Sequence, residues 1–279
     1  MSSIAGELYI VATPIGNLAD MTYRAVEVLQ QVDLILVEDT RNAIKLLQHY
    51  SIRTPMKALH EHNEEHLAPV IVQKLAQGDS IALISDAGTP LMSDPGFRLV
   101  RAAQQAGIQA LSVPGACAAI AALSIAGLPT DRFVFEGFVP AKTNAREQRL
   151  QALRGEPRTL IFYEAKHRIV AFLRSMQKVM GDARKIVVAR ELTKKFESVY
   201  QGEVQEVVAR IAGDEQAQKG EYVVLVEGAS AALDEVDLDS VLQPLLLELG
   251  VSKASKVAAK ITGISKNKCY QRALEMQAK

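Results

Sequence analysis

The run from Leu83 to Gly96, Leu-Ile-Ser-Asp-Ala-Gly-Thr-Pro-Leu-Met-Ser-Asp-Pro-Gly, constrains this chain more than any other segment. It follows a strand pattern at Ser80–Ser85 and precedes a helix pattern whose first turn Pro95 is placed to open. Open α/β sheets bind their ligands outside the carboxyl ends of the strands, in loops of this kind. Gly88 and Gly96 permit close backbone approach, whereas Pro90 and Pro95 fix φ and stiffen the connection. Asp86 and Asp94 give the loop two carboxylates, which suits a ligand carrying hydroxyls or an amine better than one carrying phosphates. A tight βα connection with capping aspartates is the plainer alternative.

Further loops of the same type favour the ligand-binding reading. Leu8–Ala12 reads as a buried strand and runs into Thr13-Pro14-Ile15-Gly16-Asn17-Leu18-Ala19-Asp20, with a helix from about Thr22. Leu34–Val37 ends in Glu38-Asp39-Thr40-Arg41, and Gln109–Val113 ends in Pro114-Gly115-Ala116-Cys117-Ala118 before an Ala-rich helix. Four parallel-type strands then finish at one rim. Neither G-x-G-x-x-G nor G-x-x-x-x-G-K-[ST] occurs among these turns, which speaks against the dinucleotide and P-loop phosphate mechanisms.

Thr13-Pro14-Ile15-Gly16-Asn17, Glu38-Asp39-Thr40-Arg41, Ser85-Asp86-Ala87-Gly88-Thr89-Pro90, Pro114-Gly115 and Ala189-Arg190-Glu191-Leu192-Thr193-Lys194 occur in that order. Together they resemble the tetrapyrrole-methylase (class III) S-adenosylmethionine-dependent methyltransferases. Within these they are most similar to the bacterial branch that methylates cytidine ribose 2′-hydroxyls of 16S rRNA. The resemblance runs from about Glu7 to Gly228, with a similar tail. The wider family's Gly-Asp-Pro is Gly88-Thr89-Pro90 here, its acid displaced to Asp86, a pattern of the ribosomal-RNA branch rather than the corrin and sirohaem branches.

The resemblance implies two α/β domains with the methyl donor folded in a cleft between them, acting on a cytidine of the decoding centre, and a cytoplasmic homodimer. It places Pro14 and Gly16 on the cleft floor and Ser85, Asp86, Gly88, Thr89 and Pro90 around the methionine or ribose part of the donor. Cys117, Ala118, Tyr163, Leu192 and Gly220 complete the cleft. A ribose hydroxyl is a weak acid, and a general base or acceptor beside it is worth ~10²–10⁴-fold. Glu38, Asp39 and Arg41 are the catalytic candidates, although strand-end charges also serve as caps and salt bridges. His60-Glu61-His62-Asn63-Glu64-Glu65-His66 lacks a standard zinc spacing, so no metal is expected. The resembled branch carries a similar stretch, which makes His62 or Glu64 an alternative base. Lys166, Arg168, Arg190 and Lys194 follow strands and are candidate RNA contacts.

Length and composition set the remaining bounds. At 279 residues two domains are expected, Met1–Leu128 and 129–230, followed by a tail at 231–279. No apolar run approaches the roughly 20 residues of a membrane span, and Met1–Ile10 lacks the features of a secretory leader. Two distant cysteines, Cys117 and Cys269, predict no disulfide. Formal charge sums to zero, but Val251–Lys279 holds seven cationic side chains against Glu275 alone, a local +6. Lys253, Lys256, Lys266, Lys268 and Arg272 of this tail are candidate RNA contacts, as is the basic stretch Lys142–Arg158. Three short helices are expected there, capped by Ser240, Ser252 and Ser265, two of them forming a helix-turn-helix around Gly263. One face should carry Ala254, Val257, Ala258 and Ile261, another Cys269, Tyr270, Ala273 and Leu274. Ala229–Asp239 reads as a linker. The alternatives are a small-molecule tetrapyrrole C-methyltransferase, against which the basic tail counts, and a non-catalytic ribosome-binding protein, against which the charged rim counts.

Overall fold

Short apolar runs separated by amphipathic stretches become two five-stranded sheets in a computed structural model that describes residues 6–229 and 238–277. The first sheet is wholly parallel, built from β1 (Leu8–Val11), β2 (Leu34–Val37), β3 (Met56–Ala58), β4 (Ile81–Leu83) and β5 (Ala110–Val113) in the order β3-β2-β4-β1-β5. Both faces are covered, as a parallel sheet requires. Leu36, Ile81 and Leu83 point to α3 (Glu64–Ala76) and α4 (Phe97–Gln105). Ile35, Val37 and Ala82 point the other way, to α1 (Tyr23–Gln31) and α2 (Thr40–His49).

The second sheet is mixed, in the order β6-β7-β10-β8-β9. It comprises β6 (Phe133–Phe138), β7 (Thr159–Ala165), β8 (Lys185–Arg190), β9 (Ser198–Glu203) and β10 (Glu221–Val226). Only β6 and β7 are parallel; β10 runs antiparallel to both β7 and β8. Leu160, Phe162, Val188 and Val224 pack on α6 (Thr143–Ala152), α7 (Ile169–Met180) and α8 (Val204–Ala212). The opposite face takes α5 (Ala118–Ile125), whose Ala119, Ala122 and Leu123 lie against Ile161, Val187 and Val223. The Ala-rich helix that leaves the first sheet is therefore the floor of the second.

Local chemistry moves several boundaries. Pro95 does not open α4: Ser93 (φ +73°) and Gly96 (φ +123°) hold left-handed backbone, so the helix starts at Phe97 behind the Gly96 cap. Glu64 is buried and accepts from the Leu99 N–H at 3.0 Å, capping α4 rather than standing free as a base. Residues 6–154 and 158–227 form one compact unit that holds both sheets.

A second unit, 155–157 with 228–277, contains α9 (Leu238–Glu248), α10 (Val251–Thr262) and α11 (Lys266–Gln277) around Leu242, Ala258, Cys269 and Ala273. Gly263 takes the left-handed turn between α10 and α11 (φ +70°), and Ser265 caps α11 through the Lys268 N–H. Gly250, not Ser252, caps α10, and Ser240 falls inside α9 rather than before it. The buried faces are narrower than their apolar periodicity predicts, because Ile261, Tyr270 and Leu274 are exposed. Most of the expected linker, 230–237, lies outside the described residues, as does Lys279. Among the described residues no helix is long and apolar enough to cross a membrane.

Candidate active site

Four rim loops of the first sheet are tied to one another. Thr13 after β1 and Gly88 after β4 exchange both backbone bonds, Thr13 N–H to Gly88 O at 2.8 Å and Gly88 N–H to Thr13 O at 3.1 Å. The Thr89 hydroxyl donates to the Ala116 carbonyl at 3.0 Å, binding in the loop after β5. After β2, the Asp39 N–H and the Asn42 amide donate to the two carboxylate oxygens of Asp86, at 3.1 and 2.8 Å. Such bonds are worth about 1 kcal/mol each, and here they fix a surface rather than merely add stability. Gly88 sits at φ +84°, and Leu91 and Ser93 are also left-handed, a conformation usually retained only where the surroundings enforce it.

The second sheet supplies the facing wall. Lys194 bridges Glu191 (2.9 Å) and Glu221 (2.6 Å), and the Glu221 N–H donates to Glu191 Oε1 at 2.9 Å. Glu191 and Thr193 are left-handed in turn. Gly16 and Gly220 make this closeness possible: a Cβ on Gly16 would stand 2.5 Å from the Lys194 chain, and one on Gly220 2.6 Å from Glu191 Cγ. Tyr163 accepts from the Ala119 N–H, at the start of α5, and stacks edge-on with Phe135 and Phe138.

Between these walls lies a cavity of about 440 Å³. Its lining combines apolar residues, among them Ala118, Ala189, Leu192 and Val223, with the carboxylates Glu38, Asp86 and Asp94. Burial raises the Glu38 carboxyl above its usual range, with the Asp86 charge adding to it. Asp94 is pushed up to about 6, chiefly by burial, against an opposing hydrogen bond from Ser85. A donor with an adenosine, an amine and a sulfonium fits this mixed lining, since the sulfonium offsets neighbouring carboxylates. Glu164 follows Tyr163 on β7, but its side chain is fully buried and paired with Arg168 at 3.0 Å, out of a ligand's reach.

Asp94 also sets a pH dependence. Its folded value lies above the unfolded 3.8, so the fold binds that proton more tightly. This contribution to stability is complete below about pH 4, declines as pH rises to about 6, and stays lost above. Asp94→Asn should therefore melt higher than the wild type at pH 7.5, with the gap closing toward pH 4. Equal melting differences at both pH values in calorimetry would refute the assignment.

Most donor-site candidates converge here. Asp86, Gly88, Thr89, Cys117, Ala118, Tyr163 and Leu192 line the main cavity, and Pro14 and Gly16 line an adjoining one of about 280 Å³. Ser85 and Pro90 are buried beneath the loop, and Gly220 shapes the wall through Glu191. Glu38 enters the cavity. Asp39 caps α2 and pairs with the exposed Arg41. His62 is exposed and meets His60 edge-on.

The basic candidates divide by what already engages them. Lys166, Lys253, Lys256, Lys266 and Lys268 are exposed. Arg168 pairs with Glu164, and Arg190 donates to the carbonyls of Lys219 and Phe196. Arg272 forks onto Asp239 and also pairs with Glu275. In the Lys142–Arg158 stretch, Arg146 is buried on Ser175 and Arg149 pairs with Glu136, so much of that charge is spent inside the fold. Phe138, Glu164, Glu221, Tyr222 and Val223 line the cavity without having been singled out in the sequence.

Comparison with known proteins agrees with this geometry. Residues 7–208 match the family described as Tetrapyrrole (Corrin/Porphyrin) Methylases, and residues 232–277 match the RsmI C-terminal HTH domain. The chain is 53% identical to Ribosomal RNA small subunit methyltransferase I of Pseudomonas aeruginosa, over 99% of each chain. It is 52% identical to the protein of the same name from Escherichia coli O157:H7, over 98% and 96%. In fold alone it is similar to diphthine synthase (TM-score 0.59, 12% identity, 79% of this chain and 89% of that one). The same holds for uroporphyrin-III-C-methyltransferase of Thermus thermophilus (TM-score 0.54, 20% identity, 80% and 94%). Matched over most of its length in sequence and in fold, the chain belongs to the tetrapyrrole (corrin/porphyrin) methylase family.

Proposed function

We propose that this protein transfers the methyl group of S-adenosylmethionine to the ribose 2′-hydroxyl of a cytidine in the decoding centre of 16S rRNA. The observation that carries the reading is a cavity lined by both apolar residues and carboxylates, in a chain about half identical to rRNA small subunit methyltransferases along its whole length. The donor supplies an activated methyl group, so the protein's task is alignment. Holding reacting atoms about 3–3.5 Å apart and in line is worth several kcal/mol. The tied loops after β1, β4 and β5 supply that rigidity. As the new C–O bond forms, the C–S bond breaks with its electron pair on sulfur, and the hydroxyl proton leaves. Glu38, whose proton affinity is raised, stands in the cavity to receive it.

The experiment uses small ribosomal subunits that lack this methyl group, incubated with the protein and donor labelled in the methyl group. Nuclease digestion should yield labelled 2′-O-methylcytidine. Label in a base, or in an added tetrapyrrole instead, would overturn the reading. Naked 16S rRNA in a parallel reaction shows which form of the substrate is taken, the assembled subunit being expected.

A homodimer in the cytoplasm completes the reading. Tyr23, Phe97 and Phe196 are exposed by 92%, 64% and 65%, single apolar side chains of the kind a subunit contact covers. Light scattering that finds only a species near the 30.4 kDa chain mass at micromolar concentration would rule the dimer out.

A further inference from the structure

The donor cavity has a neighbour. A second cavity of about 280 Å³ lies against it and shares Ile15, Asp86, Ala87, Lys194 and Glu221 as a common wall. It is bounded otherwise by the loop Thr13–Gly16, by Leu18, and by Asn42, Lys45 and Leu46 of α2. We propose that this second cavity seats the ribose and adjacent phosphate of the acceptor nucleotide, with Lys45 receiving the phosphate and Asp86 the ribose hydroxyl. The proposal rests on the RNA-methylation reading and names the place where that reading puts its substrate.

Position comes first. In-line transfer places the acceptor oxygen about 3–3.5 Å from the methyl carbon. An acceptor site must therefore adjoin the donor cavity, and this one shares five lining residues with it.

Charge then separates the two sites. Glu38, Asp86, Asp94, Glu191 and Glu221 line the main cavity, and Lys194, the one cation among its lining residues, is already paired with Glu191 and Glu221. A phosphate there would face carboxylates. The second cavity shares Asp86 and Glu221 but adds Lys45, whose side chain is exposed, with no ion-pair or hydrogen-bond partner among the described residues. Its ammonium is a compact point charge with three donors, suited to a phosphate oxygen. The apolar flank of Pro14, Ile15, Leu18 and Leu46 offers a surface for the sugar.

Asp86 connects the two cavities. Its carboxylate is held from the start of α2 by the Asp39 N–H and the Asn42 amide, one on each oxygen. A carboxylate oxygen accepts more than one hydrogen bond, so capacity for a hydroxyl remains. Gly16 lets the loop after β1 pack directly on Lys194, which a side chain there would strike. A hydroxyl hydrogen-bonded to Asp86 lies beside Glu38, whose carboxyl takes a backbone hydrogen bond from Asp86, so its proton passes to Glu38 as its lone pair meets the donor methyl.

Lys45→Ala and Lys45→Glu, with Lys45→Arg as the conservative variant, test this on the full chain. Small ribosomal subunits lacking the methyl group are the substrate. Loss of one charged contact predicts that KM for the subunit rises roughly tenfold in the Ala variant and further in Glu. The log–log salt slope should fall by roughly 0.7–0.9. Donor affinity in calorimetry should be unchanged, and Arg should restore most of the loss. An unchanged KM and slope in Lys45→Glu would overturn the proposal. So would a loss of donor affinity, because Lys45 would then serve the donor cavity. Both outcomes are read against a wild-type protein that makes 2′-O-methylcytidine. A wild type that makes none refutes the RNA reading itself, which separates the two failures.

Discussion

Replacing Gly88 with valine is expected to abolish measurable donor binding while leaving the protein folded. Gly88 holds φ +84°, where an L-residue is strained by about 1–2 kcal/mol. Its position as Cβ would stand 3.2 Å from the Ile15 methyl group, so the two γ-methyls of valine must displace that neighbour or intrude on the cavity that Gly88 lines. Paired backbone bonds to Thr13 resist any compensating shift of the loop. Strain alone is separable from site loss by a matched control. Gly107, the residue after the α4 cap, has φ +76° and nothing within 4 Å of a built Cβ. Gly107→Val should bear a similar backbone penalty, lowering Tm by about 2–4 °C per kcal/mol, and keep full donor affinity. Calorimetry with S-adenosylmethionine decides: equal affinities for wild type and Gly88→Val would remove this loop from the donor site.

The same loop shows where sequence reasoning succeeds. Gly and Pro after short apolar runs located β1, β4 and β5, and the charged turn Glu38–Arg41 located β2, because parallel strands buried on both faces need continuous apolar stretches. β3 carries Met56-Lys57-Ala58, too short and too polar for such a pattern, and it sits at the sheet edge. α5 looked like the end of the first domain. Its lack of amphipathic contrast hid that Ala119, Ala122 and Leu123 serve the second sheet's core.

The site was half legible for a topological reason. Looking for ligands at strand carboxyl ends finds the loops after β1, β2, β4, β5 and β7, and the turn after β8. It passes over β10, which runs antiparallel to β7 and β8 and so brings its amino end, Glu221 and Tyr222, to the same rim. Lys45 and Asn42 escaped for another reason. They lie on a helix whose polar residues look like ordinary solvent-facing positions until Asn42 is seen on Asp86.

Replacing Lys253, Lys256, Lys266 and Lys268 together with alanine is expected to reduce subunit binding steeply and flatten its salt dependence. Deleting Val251–Lys279 outright is a poorer test, because α9 would lose the partners of Leu242 in a core of a few residues. The four lysines are exposed, so alanine removes charge and leaves Ala258, Cys269 and Ala273 packed. Arg272 is left in place, since its guanidinium is held by Asp239 and Glu275 within the same unit. Each lysine that neutralises a phosphate adds roughly 0.7–0.9 to the log–log slope. Four such contacts would lower the slope by about 3, and the affinity difference would shrink as salt rises. Donor binding should be unaffected, because every residue lining the two cavities lies before Gly228. If instead the slope holds and donor affinity falls, the charged helices act on the cavity and not on RNA. A slope reduced by only one unit would assign a single lysine to phosphate and leave the others as solvated charge, which the four single variants would then identify.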